Sequence, residues 1–425
     1  MTLKRILLAV VAIVCVVVVG GFVWAYSPAL PARAPSTASL FEKQAIDRGA
    51  ELASIGNCAN CHTTPGSPAY SGGEPIPTPF GTIYASNLTP DMKTGIGTWS
   101  EEAFRRALRK GVDREGRQLY PAFPYDHFTF ATDLDISRIY AFLMTRPAVE
   151  RKTPTNDLTF PFNIRPIVAG WKLLFLHQEP IVPVASQSED WNRGRYLVEG
   201  LGHCGSCHTP RNALGAEKKA ERFAGAKVNG WNVPPLNVSL VSAHKWSVDG
   251  LADYLSTGWQ KHHGAASGAM ADVAKNLGRA SQGDVRAIAT YIASLSAGAA
   301  TSKSTIPREG RPVAGASAAT VALYDGACAQ CHSAQHDVGP SQALPLGLST
   351  AVQGPSSANA VRVVMHGIKS YRRDGGPYMP SFDQMLTNSQ IVDLIQYVRA
   401  RFTEQPAWTA VEAEAVKARN EVPAP

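Results

Sequence analysis

Three short strings in this sequence are capable of chemistry: Cys58-Ala59-Asn60-Cys61-His62, Cys204-Gly205-Ser206-Cys207-His208 and Cys328-Ala329-Gln330-Cys331-His332. Two thiols one helical turn apart can each form a thioether to one vinyl group of a haem, and the adjacent histidine then faces the iron. The spacing therefore predicts three covalently attached haem c groups, with His62, His208 and His332 as axial iron ligands. Zinc sites and thioredoxin-like sites share the cysteine spacing. Zinc would need further ligands, and the only cysteine outside the three pairs is Cys15, inside an apolar run. A thioredoxin-like pair would need a strand–helix setting, which the pattern does not offer.

The elements that must position these strings repeat with them. Asp47-Arg48-Gly49-Ala50-Glu51-Leu52 leads into the first, Asn192-Arg193-Gly194-Arg195-Tyr196-Leu197 into the second and Ala322-Leu323-Tyr324 into the third, each reading as a short helix. Apolar residues at three- and four-residue spacing predict closing helices over 133–144, 282–295 and 388–402, opened by Thr132, Ser281 and Asn388 as caps. The expected fold is mainly α, with three tandem cytochrome c domains at 39–150, 187–296 and 319–404 behind an N-terminal transmembrane helix at 5–26. Residues 27–38 and 297–318 read as linkers, 151–186 as a connecting segment able to face a membrane, and 405–425 as a C-terminal tail.

A chain of 425 residues holds two to four domains. Its formal net charge is +7, but acids and bases are mixed and no basic run of the nucleic-acid type occurs. Lys4 and Arg5 precede the apolar run from Ile6 to Tyr26, whose length of about 20 residues suffices to cross a bilayer. The charged end is expected in the cytoplasm and the haem domains in the periplasm, anchored in the cell inner membrane. A cleaved signal peptide is the alternative and leaves the bulk of the chain in the same compartment. Cys15 reads as an inert apolar residue, since bulky Val14 before it argues against a lipid anchor.

A c-type haem usually takes a second axial ligand from the loop before the last helix, often a methionine. Met379 in Gly376-Pro377-Tyr378-Met379-Pro380 and Met270 in Ser267-Gly268-Ala269-Met270 fit. Met365 sits too early, Met385 reads as packing, and His262 and His263 are rivals in the second domain. The first domain departs from the pattern. Its loop, Leu119-Tyr120-Pro121-Ala122-Phe123-Pro124-Tyr125-Asp126-His127, has Phe123 where methionine is expected. His127 is the favoured ligand there, with Met92 or an open position as alternatives. A carbonyl near Gly339-Pro340 is expected on the free N–H of His332, and Trp99, Trp231 and Trp246 either line haem edges or pack in cores.

The chain resembles the three-haem cytochrome c subunit of bacterial membrane-bound alcohol, aldehyde, gluconate or sorbitol dehydrogenases. The resemblance rests on Ser86-Asn87-Leu88-Thr89-Pro90-Asp91 with Thr94-Gly95-Ile96-Gly97-Thr98-Trp99-Ser100, on Leu119-Tyr120-Pro121-Ala122, and on Phe162-Asn163-Ile164-Arg165-Pro166 with Gly170-Trp171-Lys172. It implies electron flow from a catalytic partner subunit through three haems to ubiquinone. The Phe123 variant looks like members that serve molybdenum/iron–sulfur aldehyde dehydrogenases, whereas quinoprotein or flavoprotein partners go with methionine there. No nucleophile–base pair, phosphate loop or nucleotide fingerprint argues for a substrate-oxidising site in this chain. Two other readings stay open: a cytochrome subunit or donor of a terminal oxidase, and a peroxidase or ligand sensor using an open first iron.

Overall fold

Each motif follows a helix that crosses a later helix, and in two of the three cases a glycine permits the approach. The computed structural model describes residues 3–33, 41–237, 246–261, 263–296, 310–332, 346–369 and 378–421. Contacts divide the chain into one unit of Met1–Pro183 with Glu199–His203, and another of Val184–Val198 with Cys204–Pro425.

The first unit runs α1 (Leu3–Ala25), α2 (Lys43–Ile55), α3 (Cys58–His62), β1 (Pro75–Thr78), β2 (Gly81–Tyr84), α4 (Glu101–Lys110), α5 (Tyr125–Phe128), α6 (Asp133–Met144), β3 (Asp157–Leu158) and α7 (Ile167–Phe175). Its small sheet is antiparallel in the order β1-β2-β3, with Pro75 opposite Tyr84 and Gly81 opposite Leu158. Helices α2 and α6 cross where Gly49 meets the Arg138 carbonyl, and a Cβ on Gly49 would lie 1.9 Å from that oxygen. Leu52, Ile55, Ile136, Ile139 and Leu143 fill the core behind the crossing. Thr132 caps α6 by accepting from Asp135 N, and Ser100 caps α4 by accepting from Ala103 N.

The second unit contains α8 (Glu189–Tyr196), α9 (Gly205–His208), the hairpin β4 (Ala226–Val228) and β5 (Trp231–Val233), α10 (Val248–Thr257), the short pair β6 (Trp259–Gln260) and β7 (Gly264–Ala265), α11 (Ala269–Leu277) and α12 (Gln282–Leu295). It continues through α13 (Ala318–Ala327), α14 (Ala329–His332), α15 (Thr350–Gln353), α16 (Ala358–His366), α17 (Asn388–Phe402) and α18 (Val411–Asn420). Gly194 repeats the role of Gly49: its Cβ would lie 1.9 Å from the Ala287 carbonyl on α12. Arg193 beside it donates to Asp284 at 2.8 Å. The α13–α17 crossing instead uses aromatic packing, with the ring of Tyr324 5.4 Å from Tyr397 and 6.0 Å from Phe402.

Several expectations need correction. Residues 405–425 are not a plain tail, because α18 buries Val411, Ala415 and Ala418 in the core shared with Ile391 and Leu394 of α17. Arg362 of α16, with no exposed surface, donates to both carboxylate oxygens of Glu421, at 2.9 and 2.7 Å, and to Glu414 at 3.1 Å. The cap of α17 is Thr387 and not Asn388, because only Thr387 places Gln390 where it completes a capping box. The first linker does not hang free over its described part: Leu30 N donates to Arg114 O and Arg33 N to Thr98 O. Helix α1, 23 residues long from Leu3 to Ala25, overlaps the expected 5–26 span and ends before Tyr26. Cys15 and several other α1 side chains lie outside the described residues, and among those described no helix is long and apolar enough to cross a membrane.

Gly49→Ala must push α2 away from α6. Overpacking of this kind costs about 1–3 kcal/mol, so the unfolding midpoint of the first unit is expected to fall in denaturant titration. An unchanged midpoint would mean that the crossing is slack.

Candidate haem-binding sites

Each cysteine pair begins where a leading helix ends and a new turn of helix starts. Asn57, left-handed at φ 50°, breaks α2 from α3, and left-handed His203, at φ 39°, precedes Cys204. In the third motif the Cys328 N–H instead donates to Tyr324 O at 2.8 Å, so α13 closes directly onto α14. The result in each case is one short helix carrying the second cysteine and the histidine, with the first cysteine in it or directly before it.

His62 and His208 are each held in one tautomer. Nδ1 of His62 lies 2.6 Å from Ser86 O, and Nδ1 of His208 lies 2.8 Å from Pro234 O. A carbonyl only accepts, so Nδ1 carries the proton and Nε2 keeps its lone pair for a metal. Burial lowers the pKa of both imidazoles, which favours this neutral form. Burial also pushes the Cys58 and Cys204 thiols up to about 12 and Cys328 up to about 11. Protonated thiols beside a neutral imidazole fit covalent haem c, whose thioethers form by adding S–H across a vinyl group. The carbonyl expected near Gly339-Pro340 for His332 lies outside the described residues.

Ser86 and Pro234 belong to the candidate sites through their carbonyls, which the motif spacing did not reveal. The first is fixed by its neighbours. Asn87 donates to Val149 O at 2.7 Å and to Thr94 Oγ1 at 3.0 Å, while its Oδ1 accepts from Thr89 N at 2.9 Å. Asp91 accepts from Thr94 N at 2.6 Å and Thr94 Oγ1 at 2.7 Å. Most of these residues belong to the Ser86–Ser100 string, whose density of Asn, Thr, Asp and Gly was the available signal.

The candidate sixth ligands divide. In the second site β5 joins both sides. Pro234 follows it and holds His208, while its own Trp231 packs on Gly268, two residues before Met270. Gly268 has φ 54°, and a Cβ there would lie 2.6 Å from the Trp231 ring. Half-buried Met270 is the second residue of α11. His263 is buried and stacks on Trp246 at 3.5 Å, and His262 lies outside the described residues. In the third site half-buried Met379 pairs with Ile368 through two 2.9 Å backbone bonds and borders the same apolar core as Cys328. Met365 is buried within that core. Met385 is 62% exposed, contrary to the expectation that it packs.

In the first site His127 is buried on α5, and its Nδ1 lies 2.7 Å from Glu199 O, the same tether as in His62 and His208. Phe123 packs on Phe128 with ring centres 5.4 Å apart. Met92 is 43% exposed. Residues 199–203 complete this site, which sequence reasoning did not anticipate. His203 Nε2 meets Gly56 O at 3.2 Å and its ring lies 5.5 Å from Phe128. Trp99 is half-buried, and its carbonyl accepts from the Tyr140 hydroxyl at 2.7 Å.

Attachment helices of this kind, with a neutral tethered histidine, define a c-type cytochrome. Residues 46–147 match the cytochrome c family, and residues 315–398 match cytochrome c oxidase, cbb3-type, subunit III. One of the subunits of nicotinate dehydrogenase from Pseudomonas putida is 43% identical over 88% of this chain, which spans about a third (32%) of that protein. The fructose dehydrogenase cytochrome subunit of Gluconobacter japonicus is 35% identical over 90% of this chain and 84% of its own length. The gluconate 2-dehydrogenase cytochrome c subunit of Pantoea cypripedii is 33% identical, over 91% and 93% respectively. The chain belongs to the cytochrome c subunit family of quinone-linked dehydrogenase complexes.

Gly268→Ala forces a Cβ into the Trp231 ring at a backbone angle that only glycine adopts easily, a strain of about 1–3 kcal/mol. The expected outcome is a lowered unfolding midpoint of the second unit together with an altered visible spectrum of one haem. If both stay as in the parent protein, the Trp231 contact does not hold the Met270 loop.

Proposed function

We propose that this chain is the electron-carrying subunit of a dehydrogenase complex of the cell inner membrane. Its α1 anchors it with the N-terminus in the cytoplasm, and its cytochrome domains at 39–150, 187–296 and 319–404 lie in the periplasm. Three haem c groups are attached through Cys58 and Cys61, Cys204 and Cys207, and Cys328 and Cys331, with His62, His208 and His332 on the irons. Each haem supplies a reversible one-electron change at its iron. Electrons enter from a catalytic partner subunit and leave to ubiquinone, and the chain oxidises no substrate itself.

The observation that carries this reading is the shared tether of His62 and His208, which leaves a neutral Nε2 beside a cysteine pair on a helix. His127 carries the same tether and is the proposed sixth ligand of the first haem. Met270 and Met379 serve the second and third. Methionine raises a haem potential relative to a second histidine, so the first haem sits lowest and suits the receiving end. The Pro121–His127 string supports a molybdenum/iron–sulfur aldehyde dehydrogenase as partner, with a quinoprotein or flavoprotein dehydrogenase as the alternative. The match of residues 315–398 to an oxidase subunit supports a second reading, a subunit or donor of a terminal oxidase. Co-purification with an oxidase core and no dehydrogenase would favour it.

Pyridine haemochrome assay of the purified chain should give three haems, and two after Cys204→Ser with Cys207→Ser. The solubilised complex should reduce a ubiquinone analogue when given substrate; absence of haem-dependent quinone reduction overturns the proposal. His127→Ala should alter the spectrum and potential of the lowest-potential haem only. An unchanged low-potential haem would remove His127 from the iron.

A further inference from the structure

Helix α7 is apolar on its outer face as well as on its inner one, where Val168 and Ala169 are buried. A surface helix of a soluble domain points charge outward and apolar side chains inward. The outer arc of α7 is Ile167, Gly170, Leu173 and Leu174, at helical spacing and without a charge. Leu173 is 71% exposed and Leu174 61%. The one charged residue turns in. Lys172 Nζ donates to Lys110 O at 2.7 Å, Gly111 O at 2.5 Å and Gln118 Oε1 at 2.7 Å, and lies 4.8 Å from the centre of the Tyr125 ring. Desolvating an ammonium is costly unless its donors are met. Here three oxygens and a ring face meet them, so the outer face needs no charge.

The neighbour of α7 explains what that face meets. Helix α1 packs against α7, and its C-terminal end is hydrogen-bonded to the unit. Ala25 O accepts from Gln118 Nε2 at 2.8 Å, the carboxamide whose oxygen takes Lys172. Arg106 donates to Pro28 O at 2.6 Å, and Gly116 leaves no room for a Cβ against Ser27 O. Beyond Arg5, α1 carries no charged residue, and Val16, Val23 and Trp24 on it are exposed. The outer arc of α7 thus continues the apolar surface of α1 at the point where the chain leaves that helix.

We infer that α7 lies in the headgroup–acyl boundary of the lipid bilayer, beside the emerging end of α1, and seats the first unit on the membrane surface. An interfacial helix buries its apolar face about 5–10 Å deep, which the Leu173–Leu174 face suits and the inward Lys172 permits. The inference rests on the reading of α1 as an anchor and goes beyond it, because an anchor alone leaves α7 in water.

The test is hydrophobic photolabelling of the full haem-loaded chain in phosphatidylcholine–phosphatidylglycerol liposomes. A membrane-partitioned diazirine is photolysed and the labelled peptides are mapped by mass spectrometry. Label is expected on α1 and on the peptide holding 167–175, and Leu173→Ser with Leu174→Ser should cut the α7 label several-fold while leaving that on α1. Label on α1 with none on α7 overturns this inference and leaves the anchor intact. Label on neither overturns both. Label on α7 that persists without lipid, or that follows protein concentration, assigns the face to a protein partner or a second copy and also overturns it.

Discussion

A half-buried imidazole is held ready to offer Nε2 to iron when the proton on Nδ1 has a fixed acceptor. An unmet buried donor costs about 1–3 kcal/mol, and the wrong tautomer removes the lone pair altogether. Much of the loop structure serves this one bond. Ser86 O is fixed by the Asn87, Thr89, Asp91 and Thr94 cluster, and Pro234 O by its place at the end of β5.

The helix crossings supply the other half of the geometry. Gly49 and Gly194 let a leading helix reach the carbonyl surface of a closing helix, and the cysteine pair follows from that fixed end. The sites differ in what completes them. The first includes Glu199 O and His203 from the segment ahead of the second motif. The second is braced within its unit, where Asn232 and Asn359 exchange two 2.8 Å bonds and the buried Arg362 lies against Gly230, next to Trp231. An Arg362 left without Glu421 and Glu414 would be a buried uncompensated charge, so α18 is a structural partner of this bracing.

Helix α7 joins the electrostatics of the first unit to its surroundings. Turning Lys172 inward uses the carbonyls at the end of α4, which have no partner within that helix. The same contact ties α7 to Gln118 and through it to Ala25. One cation therefore satisfies a helix end, fixes the exit of α1 and leaves an outer face free of charge.

The sequence by itself determined the three closing helices and the short helices that carry each cysteine pair and histidine, because these follow from local rules. A cysteine pair one turn from a histidine and apolar residues at helical spacing are readable without knowing what packs where. Asn388 reads as a cap by residue type alone, whereas Gln390 decides between two adjacent polar residues by geometry. Only the tertiary structure decided which carbonyls hold His62 and His208, since the acceptors lie 24 and 26 residues away. It alone assigned Glu199 to His127, across 72 residues, and turned Lys172 inward. Those choices depend on which backbone oxygens the packed chain leaves near a buried donor, and no local pattern records that.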